Sequence, residues 1–411
     1  MRLPSVPKTS APDTSLLALL PEILAKARLV ARQALRDALA MRSVLGPFPV
    51  ARDSFSAPHS PDDPLRFQSP PARACIDLQA NTLVQGDNLP AMAALLGGPD
   101  GGPSWRGRVD LIYADPPFAS QARYHARKPG DARAQPAFRD TWRSLADYLA
   151  MLAPRLVLMH DLLARSGSLY MHLDPSAGHY VKVLLDAIFG GGNFQREIVW
   201  RIGWVSGFKS AANNWIRNHD TIYHYVRHRP AQVFNKQYIP YPSEYRRRDG
   251  QRPSGPGYPI EDTWNCSPLD RMDSIQLMSF SQEKRGYDTQ KNENLMARII
   301  SASSHPGQLV ADLFGGSGTT AAVADRLGRR WISVDCGDAA CRIARQRLTD
   351  QGAVYGEARV LTGTRPLQNS AACGCAVCPG PVRAGSPAPG CRCADAGSPA
   401  PGRNDWPCPA A

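Results

Sequence analysis

The sequence predicts an α/β protein with a mostly parallel sheet that helices cover on both faces. Apolar runs of strand length alternate with helical stretches on both sides of one irregular segment. Some of these runs, above all "RVDLIYA", are strongly apolar instead of alternating strictly with polar residues. Such strands are typical of sheets that are buried on both faces.

The first half of this α/β domain is expected over residues 73–226. Its predicted strands, in order, are "NTLVQGD", "RVDLIYA", "SLYMHLD", "NFQREIVWRI" and "HDTIYHYV", and its predicted helices are "NLPAMAALL", "WRSLADYLAMLAPRLVLMHDLLARSG" and "AGHYVKVLLDAIFG". A long polar loop is expected to follow "RVDLIYA" and to reach about residue 140, and Gly167 is expected to stop the second helix.

The alternation is lost over residues 227–286, which are rich in Arg, Tyr, Pro and Gly, and we interpret this segment as an insert. It resumes over 287–362, with helices at "KNENLMARIISAS", "GTTAAVADRLG" and "DAACRIARQRL" and strands at "QLVADLF" and "RRWISVD". The sequence thus predicts one α/β domain that is interrupted once.

Both ends of the chain differ from this domain. The N-terminal extension, residues 1–72, is expected to contain one or two helices between 15 and 45 and then a Pro-rich linker. The tail, residues 363–411, repeats "AGSPAPG" and is expected to be disordered. Its cysteines lack the paired spacing of common zinc sites, so no metal site is expected.

Charge and hydropathy limit the classes of protein. The formal net charge of +12, from 48 basic and 36 acidic residues, fits a polyanionic partner but also fits a merely solvated basic surface. The sequence has no uninterrupted run of 18 or more apolar residues, so no membrane span is predicted. The segment "LLALLPEILA" does not have the pattern of a secretory signal. A cytoplasmic location is therefore the default expectation.

A glycine turn in the second half predicts a binding site for a nucleotide-like ligand. In "LVADLFGGSGTTAAVADRLGRRWISVD" a strand, a glycine turn, a helix and a second strand are followed by an acid, Asp335. The helix amino terminus offers free N–H groups, and Asp335 can bind ribose hydroxyls. "GSGTTA" also matches the dinucleotide fingerprint with alanine in the last place, so a nicotinamide oxidoreductase is an alternative.

The motif "DPPF" favours a different chemistry. It follows an apolar strand, at the edge where open α/β sheets bind ligands. Asp115 and the Pro116 carbonyl offer two fixed acceptors, because proline stiffens the turn and removes a donor, and Phe118 offers a flat apolar face. Two acceptors beside an aromatic ring suit a planar heterocycle that carries an exocyclic amine.

Together these motifs resemble the S-adenosylmethionine-dependent DNA amino-methyltransferases in which the catalytic motif precedes the cofactor motif. The resemblance is carried, in this order, by "VQGDN", "VDLIYADPPF", "GSLYMHLD" and "YDTQKNENLMARIISASSHPGQLVADLFGGSGTTAAVADRLGRRWISVD". It implies a Rossmann-like methyltransferase sheet with a circularly permuted motif order. It also implies target-recognition elements in the insert over 227–286, and places type III modification subunits among the closer relatives.

The resemblance assigns roles residue by residue. The catalytic motif is Asp115, Pro116, Pro117 and Phe118. The residues that bind S-adenosylmethionine are Asp87 near its adenine, Asp335 on its ribose, Lys291 at a helix start that closes over it, and Asp312, Phe314, Gly316, Gly318 and Thr319 on its methionine side. Phe118 stands where the family more often has tyrosine, and Leu313 and Asn292 replace frequent prolines.

The expected substrate is double-stranded DNA. Arg246, Arg247 and Arg248 in "YRRRDG" are predicted to contact it, while His172 is interpreted as part of the scaffold. An acid in the first place of the motif favours adenine N6, although cytosine N4 fits the same acceptors. A catalytically idle DNA-binding protein is a further alternative, and both a restriction subunit and a second copy of the chain stay open as partners.

Overall fold

The computed structural model describes residues 16–40, 45–47, 80–98, 103–126, 135–201, 213–264 and 283–360. The tail expected from 363 onward lies outside the described residues, and so does the Pro-rich linker over 46–72 apart from its first two residues.

In the described residues the helices are Leu16–Ala40 (α1), Asn88–Gly97 (α2), Leu145–Leu162 (α3), Gly178–Phe189 (α4), Glu293–Ser303 (α5), Thr319–Arg326 (α6) and Asp338–Asp350 (α7). The strands are Leu45–Pro47 (β1), Thr82–Gln85 (β2), Val109–Ala114 (β3), Ala122–Ala126 (β4), Gln135–Asp140 (β5), Leu163–Leu173 (β6), Phe194–Arg201 (β7), His219–Val226 (β8), Tyr238–Ile239 (β9), Tyr258–Pro259 (β10), Thr263–Trp264 (β11), Leu309–Asp312 (β12), Arg330–Asp335 (β13) and Gly356–Val360 (β14).

A single ten-stranded sheet has the order β1-β14-β2-β13-β12-β3-β6-β8-β7-β11. Its middle, from β14 to β6, is parallel throughout, whereas β8 is antiparallel to both β6 and β7. The predicted α/β class is therefore confirmed. Strands β12 and β13 come late in the chain but lie between β2 and β3, so the two halves of the domain interlock in one sheet and share one carboxyl edge.

Helices cover both faces of this sheet. One buried cluster packs α1, α2, α3 and α4 against the first face, with side chains such as Leu95, Leu152 and Leu185. A second cluster packs α5, α6 and α7 against the other face, with side chains such as Ile299 and Leu348. Apolar burial on both sides explains why central strands such as β3 and β12 are largely apolar.

The polar stretch after β3 is not the loop that we expect from the sequence. It contains the antiparallel pair β4 and β5, whose register shifts between Tyr124 and His125. A two-stranded pair of largely polar composition has no apolar period, so a reading of hydrophobic pattern assigns it to a loop. Its second strand ends at Asp140, directly beside the "DPPF" loop.

The second predicted helix also ends earlier than expected. Helix α3 stops at Leu162, and β6 begins at Leu163, so Gly167 lies inside a strand and does not stop a helix. The pairing of β3 with β6 jumps between Val109 and Leu111, which marks a bulge. A Cβ atom at Gly167 would lie 2.8 Å from the Val109 carbonyl oxygen, and glycine avoids that overlap.

The described part of the N-terminal extension is one helix, α1, with Pro21 inside it. The described part of the insert contains the antiparallel pair β9–β10, the strand β11, which pairs with β7, a short 3-10 helix at Arg229–Ala231, and otherwise irregular structure. None of the helices in the described ranges is long and apolar enough to cross a membrane.

Candidate active site

A cavity of about 260 Å³ opens at the carboxyl edge of the sheet, where β2, β3, β12 and β13 end. Its lining includes all of the predicted catalytic and cofactor residues except Gly318: Asp87, Asp115, Pro116, Pro117, Phe118, Lys291, Asp312, Phe314, Gly316, Thr319 and Asp335. The shared edge of parallel strands brings together motifs that are more than 200 residues apart in the chain.

Asp115, directly after β3, is held by a cation on one side only. Its Oδ2 lies 2.6 Å from the Nζ of Lys291, and both side chains are largely buried. Its Oδ1 is buried, and no group of the described residues makes a hydrogen bond to it. An unpaired carboxylate oxygen inside a cavity is costly in the absence of a donor, so this atom is positioned to accept a hydrogen bond from a ligand.

Below Asp115 lies a chain of polar contacts around His172, which is interpreted from the sequence as part of the scaffold. The His172 ring is fully buried, with Nδ1 2.8 Å from the Tyr113 hydroxyl and 3.8 Å from Asp115 Oδ1. Its Nε2 lies 3.3 Å from Asp220, which also pairs with Arg217. Burial lowers the pKa of His172 to about 3, so the ring is neutral. We assign Nε2–H as the donor to Asp220 and Nδ1 as the acceptor from Tyr113.

The loop that presents Phe118 is shaped by Asp140 at the end of β5. The buried Asp140 carboxylate accepts hydrogen bonds from three successive backbone amides, those of Phe118 at 3.0 Å, Ala119 at 2.9 Å and Ser120 at 2.8 Å. It also accepts from the Ser120 hydroxyl at 2.6 Å and from the indole N–H of Trp142 at 2.9 Å. Asp140 is not among the site residues predicted from the sequence, because an acidic residue within a polar stretch does not differ in pattern from its neighbours.

The same loop is conformationally strained. Ala119 and Gln121 have φ of 59° and 58°, a region that costs a residue other than glycine about 1 kcal/mol or more. The five bonds to Asp140 hold the loop in this shape. The ring of Phe118 lies with its centroid 5.3 Å from the Lys291 Nζ and 5.7 Å from the His172 ring, beside Asp115.

The glycine turn and the acid of β13 form one unit. Asp335 accepts hydrogen bonds from the backbone amides of Gly316 and Gly337, each at 2.7 Å. Burial raises the pKa of Asp335, and these two bonds oppose that effect. Gly318 is the one predicted cofactor residue that does not line the cavity. It has φ of 74° and is the N-cap of α6, so it acts by shaping the turn.

Asp312, at the end of β12, is nearly inaccessible to solvent. Its carboxylate accepts from the Phe314 amide at 3.0 Å and from the Thr320 hydroxyl at 2.5 Å. Burial raises the pKa of Asp312 to about 7, in spite of these two bonds. The protonation state of a carboxyl with a pKa near neutral pH changes readily when a charged ligand binds in the same cavity.

Three further predicted residues take part in structural bonds at the cavity wall. Asp87 is the N-cap of α2, where it accepts from the Leu89 amide, and it forms an ion pair with Arg155 at 2.8 Å. The Thr319 hydroxyl donates to the Lys291 carbonyl at 3.2 Å and accepts from Arg347 at 2.8 Å. The start of α5 is thereby tied to the glycine turn.

The predicted DNA-binding arginines lie away from this cavity, on the exposed surface of the insert. Arg246 donates to the carbonyls of Ser243 and Tyr245, and Arg247 lies 3.8 Å from Asp249. Arg248 is exposed as well. The structure does not bring these side chains to the catalytic motif.

A family model described as DNA methylase, of the N6/N4 type, matches residues 109–346, which is more than half of the chain. The protein therefore belongs to this family of S-adenosylmethionine-dependent DNA amino-methyltransferases. The match confirms the resemblance that the motifs carry and decides against the nicotinamide oxidoreductase alternative. The cofactor of the family is S-adenosylmethionine.

Two curated relatives are named type II methyltransferases. M.EcaI of Enterobacter cloacae is 29% identical over 289 residues, which cover 56% of this chain and 62% of that protein. M.BamHI of Bacillus amyloliquefaciens is 27% identical over 272 residues, which cover 62% of this chain and 58% of that protein. The chain thus spans about three-fifths of the length of these relatives.

Solved structures with a similar arrangement include M1.HpyAVI in complex with SAM, with 17% identity and a TM-score of 0.41, which covers 65% of this chain and 98% of that chain. Another is the cytosine-N4-specific PvuII DNA methyltransferase, with 15% identity and a TM-score of 0.42, which covers 66% of this chain and 86% of that chain.

The residues present fit the cofactor. S-adenosylmethionine carries hydroxyl and ammonium donors and a sulfonium cation, and the cavity offers the carboxylates of Asp87, Asp312 and Asp335 beside the glycine turn. The buried, unpaired Oδ1 of Asp115 lies in the same cavity and suits a second donor, an amine.

Proposed function

We propose that this protein transfers a methyl group from S-adenosylmethionine to the exocyclic amine of a base in double-stranded DNA, with adenine N6 as the acceptor. The observation that carries the proposal is the unpaired Oδ1 of Asp115, which lies in the cavity beside the Phe118 ring and the glycine turn. Family membership supports the chemistry, and the acid at the first place of the motif favours adenine.

In this mechanism the target base leaves the duplex, which costs a few kcal/mol for unstacking, and enters the cavity. Phe118 stacks on the base, and Asp115 Oδ1 and the Pro116 carbonyl accept its amino hydrogens. These two bonds turn the lone pair of the amine away from the acceptors. Lys291 holds the other carboxylate oxygen, so the Asp115 side chain cannot rotate freely.

When bound, the cofactor would supply an electrophilic methyl group on a positively charged sulfur: the new N–C bond would form as the C–S bond breaks, the sulfur would leave as a neutral thioether, and the methylated amine would lose one proton to solvent. Asp335 is proposed to bind its ribose and Asp87 its adenine, while Asp312, Phe314, Gly316 and Thr319 line its methionine side and Gly318 fixes the turn. Lys291 was predicted from the motif to close over the cofactor. Its ion pair with Asp115 supports a position between the cofactor and the base. Rate acceleration then comes mainly from positioning.

We also propose a division of labour along the chain. Residues 73–226 supply the catalytic motif, residues 287–362 bind the cofactor, and the insert over 227–286 recognises the target. Exposed Arg246, Arg247 and Arg248 suit phosphate contacts, which position a protein on DNA without reading its sequence. A role in restriction and modification, with a restriction enzyme or a second copy of the chain as partner, is consistent with the named type II relatives.

The test is transfer of labelled methyl from S-adenosylmethionine to genomic DNA, followed by analysis of the nucleosides. N6-methyladenine in the product supports the proposal, and N4-methylcytosine assigns the other amine. Absence of label from DNA, although the cofactor binds, contradicts the proposal.

Asp140→Asn is expected to lower kcat for methyl transfer by about 10²-fold, because an amide cannot accept all five hydrogen bonds and the Phe118 loop loses its shape. Affinity for S-adenosylmethionine is expected to change less than about twofold. Asp288→Asn is the matched control, since Asp288 binds the His125 amide at 2.9 Å on the same strand pair but does not contact the loop. A parallel fall in cofactor affinity would contradict a positioning role.

Affinity for S-adenosylmethionine is expected to rise about tenfold between pH 6 and pH 8 and to level off above. The free Asp312 carboxyl has a pKa of about 7, so it is largely protonated at pH 6. A bound cation favours the ionised form, so binding at pH 6 releases a proton that is already absent at pH 8. Calorimetry in two buffers of different ionisation enthalpy measures this release. Asp312→Asn should remove the dependence, and an unchanged slope in that variant would refute the assignment.

A further inference from the structure

The N-terminal helix α1 reaches the cavity, although it lies outside the residues that the family model matches. Four residues of α1, at intervals of three and four, line the cavity: Ile23, Lys26, Ala27 and Val30. This spacing places them on one face of the helix. Residues 109–346, which the family model matches, therefore do not supply the whole wall of this site.

The position of α1 along α2 shows which part of the cavity it covers. Leu39 packs against Gly97 at the carboxyl end of α2, so the earlier residues of α1 lie over the amino end of α2. Asp87, Asn88 and Leu89 at that amino end line the cavity as well. The cavity-lining residues of α1 are thus close to Asp87, at the carboxyl end of β2.

Helix α1 is firmly seated in this position. Leu20, Ile23, Ala27 and Ala31 are buried in the same cluster as the apolar faces of α2, α3 and α4. Val30 is half-buried at the cavity, whereas its neighbour Leu29 is 60% exposed and does not line the cavity. A seated helix with an apolar stripe facing a cavity suits contact with the flat apolar part of a ligand.

We infer that α1 is part of the cofactor site and that its stripe of Ile23, Ala27 and Val30 covers the adenosine end of bound S-adenosylmethionine. This inference depends on the proposed function, because it assumes that cofactor. It assigns a share of the affinity for the cofactor to a helix that lies outside residues 109–346. The apolar side chains exclude water from the purine, which strengthens the bonds that Asp87 makes to it.

The test is calorimetric titration of the full chain with S-adenosylmethionine and with 5′-methylthioadenosine, which keeps the adenosine end but lacks the amino acid. Val30→Trp fills the cavity beside Asp87 and is expected to weaken binding of both ligands at least tenfold. Leu29→Trp adds the same ring one residue away on the exposed face and is expected to change neither. The midpoint of thermal unfolding without ligand is measured for both variants.

Each result decides the inference. Unchanged affinity in Val30→Trp overturns it, and weaker binding of S-adenosylmethionine alone overturns the assignment to the adenosine end. If Val30→Trp fails to fold, Val30→Ala decides, with a loss of about threefold expected for both ligands and no loss as the contrary result. A wild-type chain that binds no S-adenosylmethionine refutes the proposed function itself, which separates the two failures.

Discussion

Asp115→Ala is expected to lower the rate of methyl transfer to DNA by at least about 10³-fold while leaving affinity for S-adenosylmethionine within a factor of about three. The change removes the Oδ1 acceptor that no described group satisfies, and it removes the partner that holds Lys291. The amine of the target base then lacks its strongest acceptor, whereas Asp87, Asp312 and Asp335 stay in place for the cofactor. Labelled methyl transfer and calorimetric titration measure the two quantities.

Two further variants sharpen this result. Asp115→Asn keeps one acceptor oxygen but loses the ion pair with Lys291, so we expect an intermediate rate. Asp110→Asn is the control in the same strand. Asp110 lies about 16 Å from Asp115 along β3, and there it accepts a hydrogen bond from the Leu309 amide. It should leave the rate unchanged. Activity in Asp115→Ala equal to that of the wild type would contradict the catalytic assignment.

The ion pair with Lys291 stabilises the buried carboxylate of Asp115, and the motif "DPPF" alone does not indicate this stabilisation. A lone buried carboxylate is poorly stabilised, and the ammonium at 2.6 Å compensates for the water that it has lost. Because the ammonium binds Oδ2, the pair leaves Oδ1 available to accept a hydrogen bond from a ligand. Lys291 precedes α5, and its carbonyl accepts from Thr319, so the glycine turn and Asp115 are mechanically connected.

The central strands could be predicted from the sequence because each has a local cause. Strands β3 and β12 are buried on both faces along almost their whole length, and their mainly apolar residues indicate that condition directly. The pair β4–β5 has no such signal, since it is polar and its pairing is set by contacts elsewhere in the fold. The prediction that Gly167 stops a helix was wrong for a related reason. The sequence does not distinguish a glycine that ends a helix from one that avoids a close contact at a bulge.

The residues of the candidate site also differ in whether the sequence alone could predict them. The positions of Asp115, Phe118 and Asp335 at the cavity could be predicted, because each follows a strand that ends at this edge of the sheet, so local pattern and topology agree. Asp140, His172 and Val30 could not, because their roles arise only when distant segments meet. Asp140 acts on a loop 20 residues before it, His172 lies beneath Asp115 in the next strand of the sheet, and Val30 belongs to a helix outside the family match.

Gly318→Ala is expected to weaken S-adenosylmethionine binding by more than tenfold and to lower the free energy of unfolding by about 2–4 kcal/mol. Gly318 has φ of 74°, a strained conformation for alanine, and a Cβ atom there would lie 2.8 Å from the Ala344 Cβ of α7. The turn that follows β12 would have to move to relieve this contact. Gly316 and Phe314, which line the cofactor cavity, would move with it.

Gly328→Ala is the matched control, because Gly328 follows the other end of α6 and has nearly the same φ, 70°. A Cβ atom at Gly328 would meet only the Pro306 Cβ, at 4.0 Å. This variant therefore carries the backbone strain without the overlap, and we expect a loss of about 1 kcal/mol in unfolding free energy with unchanged cofactor affinity. Equal loss of cofactor affinity in both variants would show that backbone strain anywhere around α6, and not the contact between the turn and α7, controls the site.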